Sequence, residues 1–431
     1  MKAIIIVLDT LRRDHLGCYG YERRTSPNVD RLAEGATVFE RCYATDVPTY
    51  PSFTALLSGQ IGTRTGRVSF SPTELITHQV AWMPTLLAAN GLATASVSTL
   101  YHMNPYFAAG FQYYHNPKAG ARHRTQTLEA EEINAFALPW LEAHHREDFL
   151  LFVHYWDPHV ESVWGRKAPV YRYEAPKDYK ELFTKGISRK PTDRDYIISQ
   201  YDANIAYADA QIGRLLDTVE KLGIGEETMI VFITDHGENL GETRPQGKDL
   251  WDHYDVYESI IRIPLVIRHP EIGRGRRVNC LVQNVDVTKT VMSFLGVESP
   301  PELDGFDLAP LMVGKKKKLY SEVYSETGFA TCKRALITEG GWKLIKSIDN
   351  GTMFPEAPHT ELYDLNEDPG EVANLDQKER ARVQEMECRM YKWLESILGK
   401  RPDPLRLRAH MGMAGEAQPY YGYIYPPRRP S

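Results

Sequence analysis

Ala3-Ile4-Ile5-Ile6-Val7-Leu8, followed at once by Asp9, sets the architecture of this chain. The run is short, largely β-branched and continuously apolar, which reads as a strand buried on both faces. Similar runs recur at residues 93–98, 149–154, 229–234 and 264–267. Helical patterns lie between them: 27–35 behind a Ser26 cap, 128–144, and 196–222, which stops at Gly223. Strands alternating with helices predict an α/β fold, a large mostly parallel sheet flanked by helices on both faces. In such sheets functional groups collect where the carboxyl ends of the strands emerge. Asp9 and the pair Asp235-His236 each follow an apolar strand and are expected to meet there.

The 431 residues are 42% hydrophobic, enough for a large core. The character changes after about Pro310, where Lys315 to Lys318 form a basic run read as a solvated turn. Residues 1–312 are therefore expected to form the main domain and 313–400 a smaller C-terminal α+β subdomain. Residues 401–431, rich in Pro, Tyr, Gly and Met, read as an arm that packs on a neighbouring subunit, implying a dimer or tetramer. A net charge of −6 gives no support for broad binding to nucleic acid or an anionic membrane. The five cysteines show no paired spacing and read as reduced thiols. The opening apolar run is too short for a secretory leader or a membrane span, so a cytoplasmic location is expected.

The chemistry is expected from Pro48-Thr49-Tyr50-Pro51-Ser52-Phe53-Thr54-Ala55-Leu56-Leu57-Ser58-Gly59. Pro51 and Ser52 suit the first turn of a helix, where a missing N–H costs nothing. Thr49 would then sit beside free backbone N–H groups and the positive end of the helix dipole, a place suited to an anionic ester. A threonine hydroxyl is a poor nucleophile without a metal or base. Asp9 taken alone is either a turn residue or a metal ligand. Asp235-His236, an oxygen and a nitrogen donor at a strand end ahead of Gly237, is a good divalent-metal pattern. Asp9, Thr49, Asp235 and His236 are expected to surround one cation. With no thiolate in the set, Mn2+, Zn2+, Mg2+ or Ca2+ would suit it.

These residues sit in longer motifs that resemble the sulfatase-like branch of the alkaline phosphatase superfamily. Asp9-Thr10-Leu11-Arg12-Arg13-Asp14-His15-Leu16-Gly17-Cys18-Tyr19-Gly20 is similar to its opening motif, and Ser26-Pro27-Asn28-Val29-Asp30-Arg31-Leu32-Ala33 to the helix that follows. Thr234-Asp235-His236-Gly237-Glu238 with Leu240-Gly241-Glu242 is similar to its second metal motif. Ile261-Arg262-Ile263-Pro264-Leu265 and Glu361-Leu362-Tyr363-Asp364-Leu365, with Asp368-Pro369, are further landmarks. The resemblance implies an α/β sandwich with a small C-terminal subdomain, a metal-dependent hydrolase and a covalent intermediate on the nucleophile.

The chain departs from that pattern at the nucleophile. Sulfatases of this branch carry Cys or Ser, any residue, then Pro-Ser-Arg, and oxidise the first residue to formylglycine. Here the positions hold Thr49, Pro51, Ser52 and Phe53; threonine cannot become formylglycine, and the arginine is replaced. The Pro-Thr-x-Pro form is similar instead to nucleotide pyrophosphatase/phosphodiesterases. Lipoteichoic acid synthases and phosphoethanolamine transferases also use a threonine. These relatives imply a small anionic substrate, a phosphate diester or phosphonate monoester, cleaved through phospho-threonine. A sulfatase working without formylglycine and an inactive binding relative are the alternatives. The second zinc site of the phosphodiesterases needs Asp-x-x-x-His; Asp157 is followed four residues on by Glu161, so one metal is expected. Trp156-Asp157-Pro158-His159 resembles the Pro-His landmark of phosphonate monoester hydrolases, which makes His159 the expected general acid. The family also places a Lys or His on the substrate's nonbridging oxygens. Counting from Asp235 selects Lys248, and counting back from Arg262 selects His253.

Overall fold

The computed structural model describes residues 1–69, 80–116, 129–161, 170–171, 175–187, 190, 193–243, 249–251, 253–351 and 356–410. Lys248 and most of the tail, residues 411–431, lie outside the described residues. The first half of the chain contributes β1 (Lys2–Leu8), α1 (Pro27–Glu34), β2 (Thr37–Tyr43), β3 (Asp46–Val47), α2 (Thr49–Ser58) and α3 (Met83–Ala89). Next come β4 (Ala93–Val97), β5 (Tyr113–His115), α4 (Ala130–His144), β6 (Phe149–Tyr155), α5 (Arg194–Lys221) and β7 (Thr228–Ile233). The remainder supplies β8 (Arg262–Arg268), β9 (Arg276–Gln283), α6 (Val285–Phe294), β10 (Glu322–Thr327), β11 (Cys332–Thr338), β12 (Trp342–Asp349), β13 (Thr360–Asp364) and α7 (Arg380–Leu398).

Eight strands form one sheet in the order β9-β2-β8-β7-β1-β6-β4-β5. Every neighbouring pair is parallel except those made by β8, which runs antiparallel to β7 and β2. Pro264 sits inside β8, and the pairing with β2 shifts register between Ile263 and Leu265. A proline has no N–H to give a ladder, so a bulge is where a central strand can hold one. β1 shows why its sequence is apolar throughout. Ile4, Ile6 and Leu8 pack with Leu32 of α1, Ile133 of α4 and Ile212 of α5. Ala3, Ile5 and Val7 pack with Phe53 and Leu57 of α2 and Val287 and Val291 of α6. Alternate residues thus serve two cores on opposite faces.

α1 begins after Ser26, but that side chain does not cap it. Ser26 Oγ accepts from Gly17 N and donates to Asp30 instead. The free N–H groups of Asn28 and Val29 are met by the Asp209 carboxylate of α5, at 3.0 and 2.9 Å. The two helices touch at Gly213, where a Cβ would lie 2.5 Å from the Asn28 side chain.

A second sheet has the order β13-β12-β11-β10-β3. Its first four strands are antiparallel neighbours, and α7 packs on one face through Met386 and Met390. Its edge is β3, from the opposite end of the chain, which pairs parallel with β10 through Asp46–Glu326 and Val47–Thr327. Ser325 Oγ donates to Ala44 O, and Thr63 Oγ1 donates to Glu326 at 2.6 Å. The segment leading into α2 is therefore shared between both sheets. Among the described residues, no helix is long and apolar enough to cross a membrane.

Candidate active site

Four backbone segments end at the carboxyl edge of the large sheet and bring the candidate residues together. β1 delivers Asp9, β6 delivers His154 and Trp156, β7 leads into Thr234-Asp235-His236, and α2 starts with Thr49. All of these side chains are at most 1% exposed.

Asp9, Asp235 and His236 each offer an atom within 4.8 Å of the others. The imidazole of His236 donates Nδ1–H to the Gly237 carbonyl at 2.9 Å, leaving Nε2 with its lone pair. That lone pair faces Asp235 Oδ2 at 3.2 Å, and the Thr49 hydroxyl at 3.2 Å can donate to it. Asp235 Oδ1 accepts from Thr10 N at 3.1 Å, whereas Asp235 Oδ2 and Asp9 Oδ1, although buried, accept no hydrogen bond among the described residues. Burial, with the charges of Asp235 and Glu238 added, pushes the Asp9 carboxyl well above the usual range. Burial also raises Glu238 to about 8 and lowers His236. Lone pairs facing one another in a dry, acidic niche are poorly stabilised by the protein alone, and a divalent cation is what this donor set accommodates. Two oxygens and one nitrogen, with no sulfur, suit a hard or borderline ion.

The turn that presents Asp235 and His236 depends on Gly237. Its N–H bonds Ile260 O at 2.7 Å, and a Cβ there would lie 2.0 Å from the Ser259 carbonyl oxygen. Ser52 Oγ, one turn into α2, donates to Asp235 O at 2.7 Å and ties the Thr49 helix to this turn.

His154 was given no role by the sequence, yet it sits against the cluster. Its Nε2 lies 2.9 Å from Asp9 Oδ2 and its Nδ1 3.1 Å from Ser98 Oγ. Burial drives its pKa down to about 3, so the contact with Asp9 is a neutral N–H donor rather than an ion pair. The sequence signal is a polar residue one place before the end of an otherwise apolar strand, much as Asp9 directly follows one. Phe53, where the family pattern has arginine, is fully buried with its ring 4.6 Å from His154 and 6.0 Å from Phe152. The floor beneath Thr49 is thus aromatic, with Phe53 in place of the family's arginine.

His159 and His253 meet beside this cluster. The His253 ring stacks on His236 with centroids 4.7 Å apart, and His159 meets it edge-on at 5.4 Å. His253 Nδ1 lies 3.1 Å from Glu238 Oε2, a partner inside the Asp-His-Gly-Glu motif whose task the sequence alone does not reveal. His159 is half-buried against Trp156 at 5.5 Å. The order of rings His154, Trp156, His159, His253 and His236 makes a continuous wall.

A family model described as "Sulfatase" matches residues 2–297, and one described as "N-sulphoglucosamine sulphohydrolase, C-terminal" matches residues 247–398. The chain is similar to arylsulfatase K of Xenopus laevis, 26% identical over 253 residues, 54% of this chain and 45% of that protein. It is similar to choline-sulfatase of Rhizobium meliloti, 33% identical over 188 residues, 42% of this chain and 34% of that protein. The chain thus spans less than half the length of these two relatives. Its fold is similar to that of a protein solved with its substrate D-glucosamine-2-N,6-O-disulfate, with a TM-score of 0.74 at 20% identity over 94% of this chain and 99% of the other. The phosphonate monoester hydrolase of Silicibacter pomeroyi gives a TM-score of 0.70 at 18% identity, covering 91% of this chain and 94% of the other. At these identities the structural likeness is one of fold.

Proposed function

This chain belongs to the sulfatase family, and from that premise we propose that it is a metal-dependent hydrolase of small sulfate esters with Thr49 as nucleophile. The observation that carries the proposal is the buried Asp9–Asp235–His236 group with the Thr49 hydroxyl 3.2 Å from His236 Nε2. The similarity to sulfatases in sequence supports sulfate as the transferred group. A divalent ion held by Asp9, Asp235 and His236 would supply Lewis acidity and make the nearby hydroxyl more acidic.

The chain's own residues account for the rest. Thr49, fixed at the first turn of α2, releases its hydroxyl proton to solvent and attacks sulfur in line with the departing alcohol; the new Oγ–S bond forms as the ester S–O bond breaks. His159 gives its proton to the leaving oxygen, a task suited to imidazole near neutral pH. His253, held at Nδ1 by Glu238, faces the nonbridging oxygens. Water then gives a proton to the now neutral His159 as it attacks sulfur; the S–Oγ bond breaks, sulfate leaves, and Thr49 Oγ regains a proton from solvent. No aldehyde hydrate can form on threonine, and Phe53 replaces the cation that accompanies one.

That same departure favours a second reading, transfer of a phosphoryl or phosphonyl group, because an ester on threonine must be released by direct attack of water. The experiment is turnover of p-nitrophenyl sulfate, phosphate, phenylphosphonate and a phosphate diester by Mn2+- or Zn2+-loaded protein beside Thr49→Ala. Preference for sulfate, lost in the variant, is expected. Preference for the diester or phosphonate moves the assignment to the second reading. Turnover that survives Thr49→Ala would sink the nucleophile.

A further inference from the structure

The segment 253–258, which carries His253, is gripped from below by the second sheet at consecutive points. Thr331 Oγ1, at the turn before β11, donates to Tyr254 O at 2.8 Å. Lys333 of β11 places Nζ 2.7 Å from Asp255 Oδ2 and 3.9 Å from Glu361 Oε1. Tyr257 OH donates to Glu361 Oε2 at 2.8 Å. Glu258 N donates to Glu371 Oε2 at 2.6 Å, and Lys343 of β12 joins the Glu258 and Glu371 carboxylates at 3.1 and 2.7 Å. Lys333, Lys343, Asp255, Glu361 and Glu371 are all at most 1% exposed. Glu371 adopts a left-handed backbone, φ 55°, while making these contacts. Ions held this far from water tolerate little displacement, because any separation leaves a bare charge in the interior.

We propose that Lys333 is a positioning residue for His253. Its ion pair with Asp255, two residues along the chain, sets where the His253 ring stands between His236 and His159. The second sheet thereby contributes to substrate binding through a side chain that touches no substrate. This rests on the reading of His253 as the group that faces the substrate's oxygens.

The test combines two readouts on the metal-loaded protein. The first is the imidazole 15N spectrum of histidine-labelled protein, with His253 assigned by its loss in His253→Ala. The second is kinetics on the best nitrophenyl ester for Lys333→Met, Lys333→Arg, His253→Ala and the double variant. Expected are a shift of the His253 resonances in Lys333→Met and a fall in kcat/KM of about tenfold to a hundredfold, mostly through KM. Partial recovery is expected in Lys333→Arg, and no further loss when Lys333→Met is added to His253→Ala. Lys346→Met, a control on the outer face of β12 where Lys346 pairs with Glu387, should change neither readout. Unmoved His253 resonances, or losses that add in the double variant, overturn the proposal. Should Lys333→Met not fold, Lys333→Met with Asp255→Leu removes both charges and is read the same way. If no ester is turned over, the proposed function fails while the resonances still decide the positioning role.

Discussion

Protonating a departing oxygen matters in proportion to how basic that oxygen is, so His159 can be isolated by choice of ester. His159→Ala should slow a phenyl or alkyl ester by about 10²–10⁴ and leave the p-nitrophenyl ester much less affected. Equal losses across a leaving-group series would remove His159 from that task. Its neighbour Asp157 makes a different demand. Burial raises Asp157 to about 7; one oxygen accepts from Ala130 N at 3.1 Å and the other has no hydrogen-bond partner among the described residues. A carboxyl whose folded pKa exceeds its unfolded value of about 3.8 holds its proton in the fold after the unfolded chain has released it. Stability therefore declines as pH rises from about 4 to about 7 and levels above that, by on the order of a few kcal/mol. Asp157→Asn should flatten this part of the decline, seen as a Tm difference from wild type that grows between pH 5 and pH 8. Parallel curves would count against it. At this scale the sequence made Asp9, Asp235 and His236 legible because each follows an apolar run. His154 and Glu238 escaped because their importance lies in what they touch: Asp9 for one, His253 for the other.

Strands and helices were legible wherever burial was uniform, since a strand serving two cores has no polar residue to blur it. What a sequence window cannot contain is a partner from elsewhere. Ser26 looked like the cap of α1, but the carboxylate that fills the role is Asp209, 180 residues beyond Val29. The direction of β8 was equally hidden, because an apolar run carries no sign of whether its neighbours run with it or against it. The turn after β7 shows how tightly one element is constrained by another. A methyl group on Gly237 would meet the Ser259 backbone at 2.0 Å, and backbone cannot rotate aside as a side chain can. Gly237→Ala should cost about 1–3 kcal/mol and weaken metal binding, because the turn and its two donors must move together. A variant with wild-type Tm and wild-type affinity would show that the turn yields more easily than the packing implies.

The whole molecule gathers buried acids at one spot, and that concentration predicts how it responds to metal. Asp9, Asp235 and Glu238 are at most 1% exposed and crowd one another, so a cation that binds the folded state alone should raise Tm with concentration. Free metal at a hundred times its Kd corresponds to about 2.7 kcal/mol. Chelator should reverse the rise and Asp9→Asn should abolish it; a Tm indifferent to Mn2+, Zn2+, Mg2+ and Ca2+ would argue that the cluster holds no ion. The change of composition near Pro310 made a second unit visible in the sequence, but not the two residues it borrows. Asp46 and Val47 are too few to leave a pattern, and they complete a sheet whose other strands begin at Glu322. Ala44 and Ser325, bonded across that junction, are 281 residues apart. On the ribosome, the stretch that aims Thr49 waits for most of the polypeptide to be synthesised before its neighbouring strand exists. The nascent chain carries Thr49 early and can seat it only late.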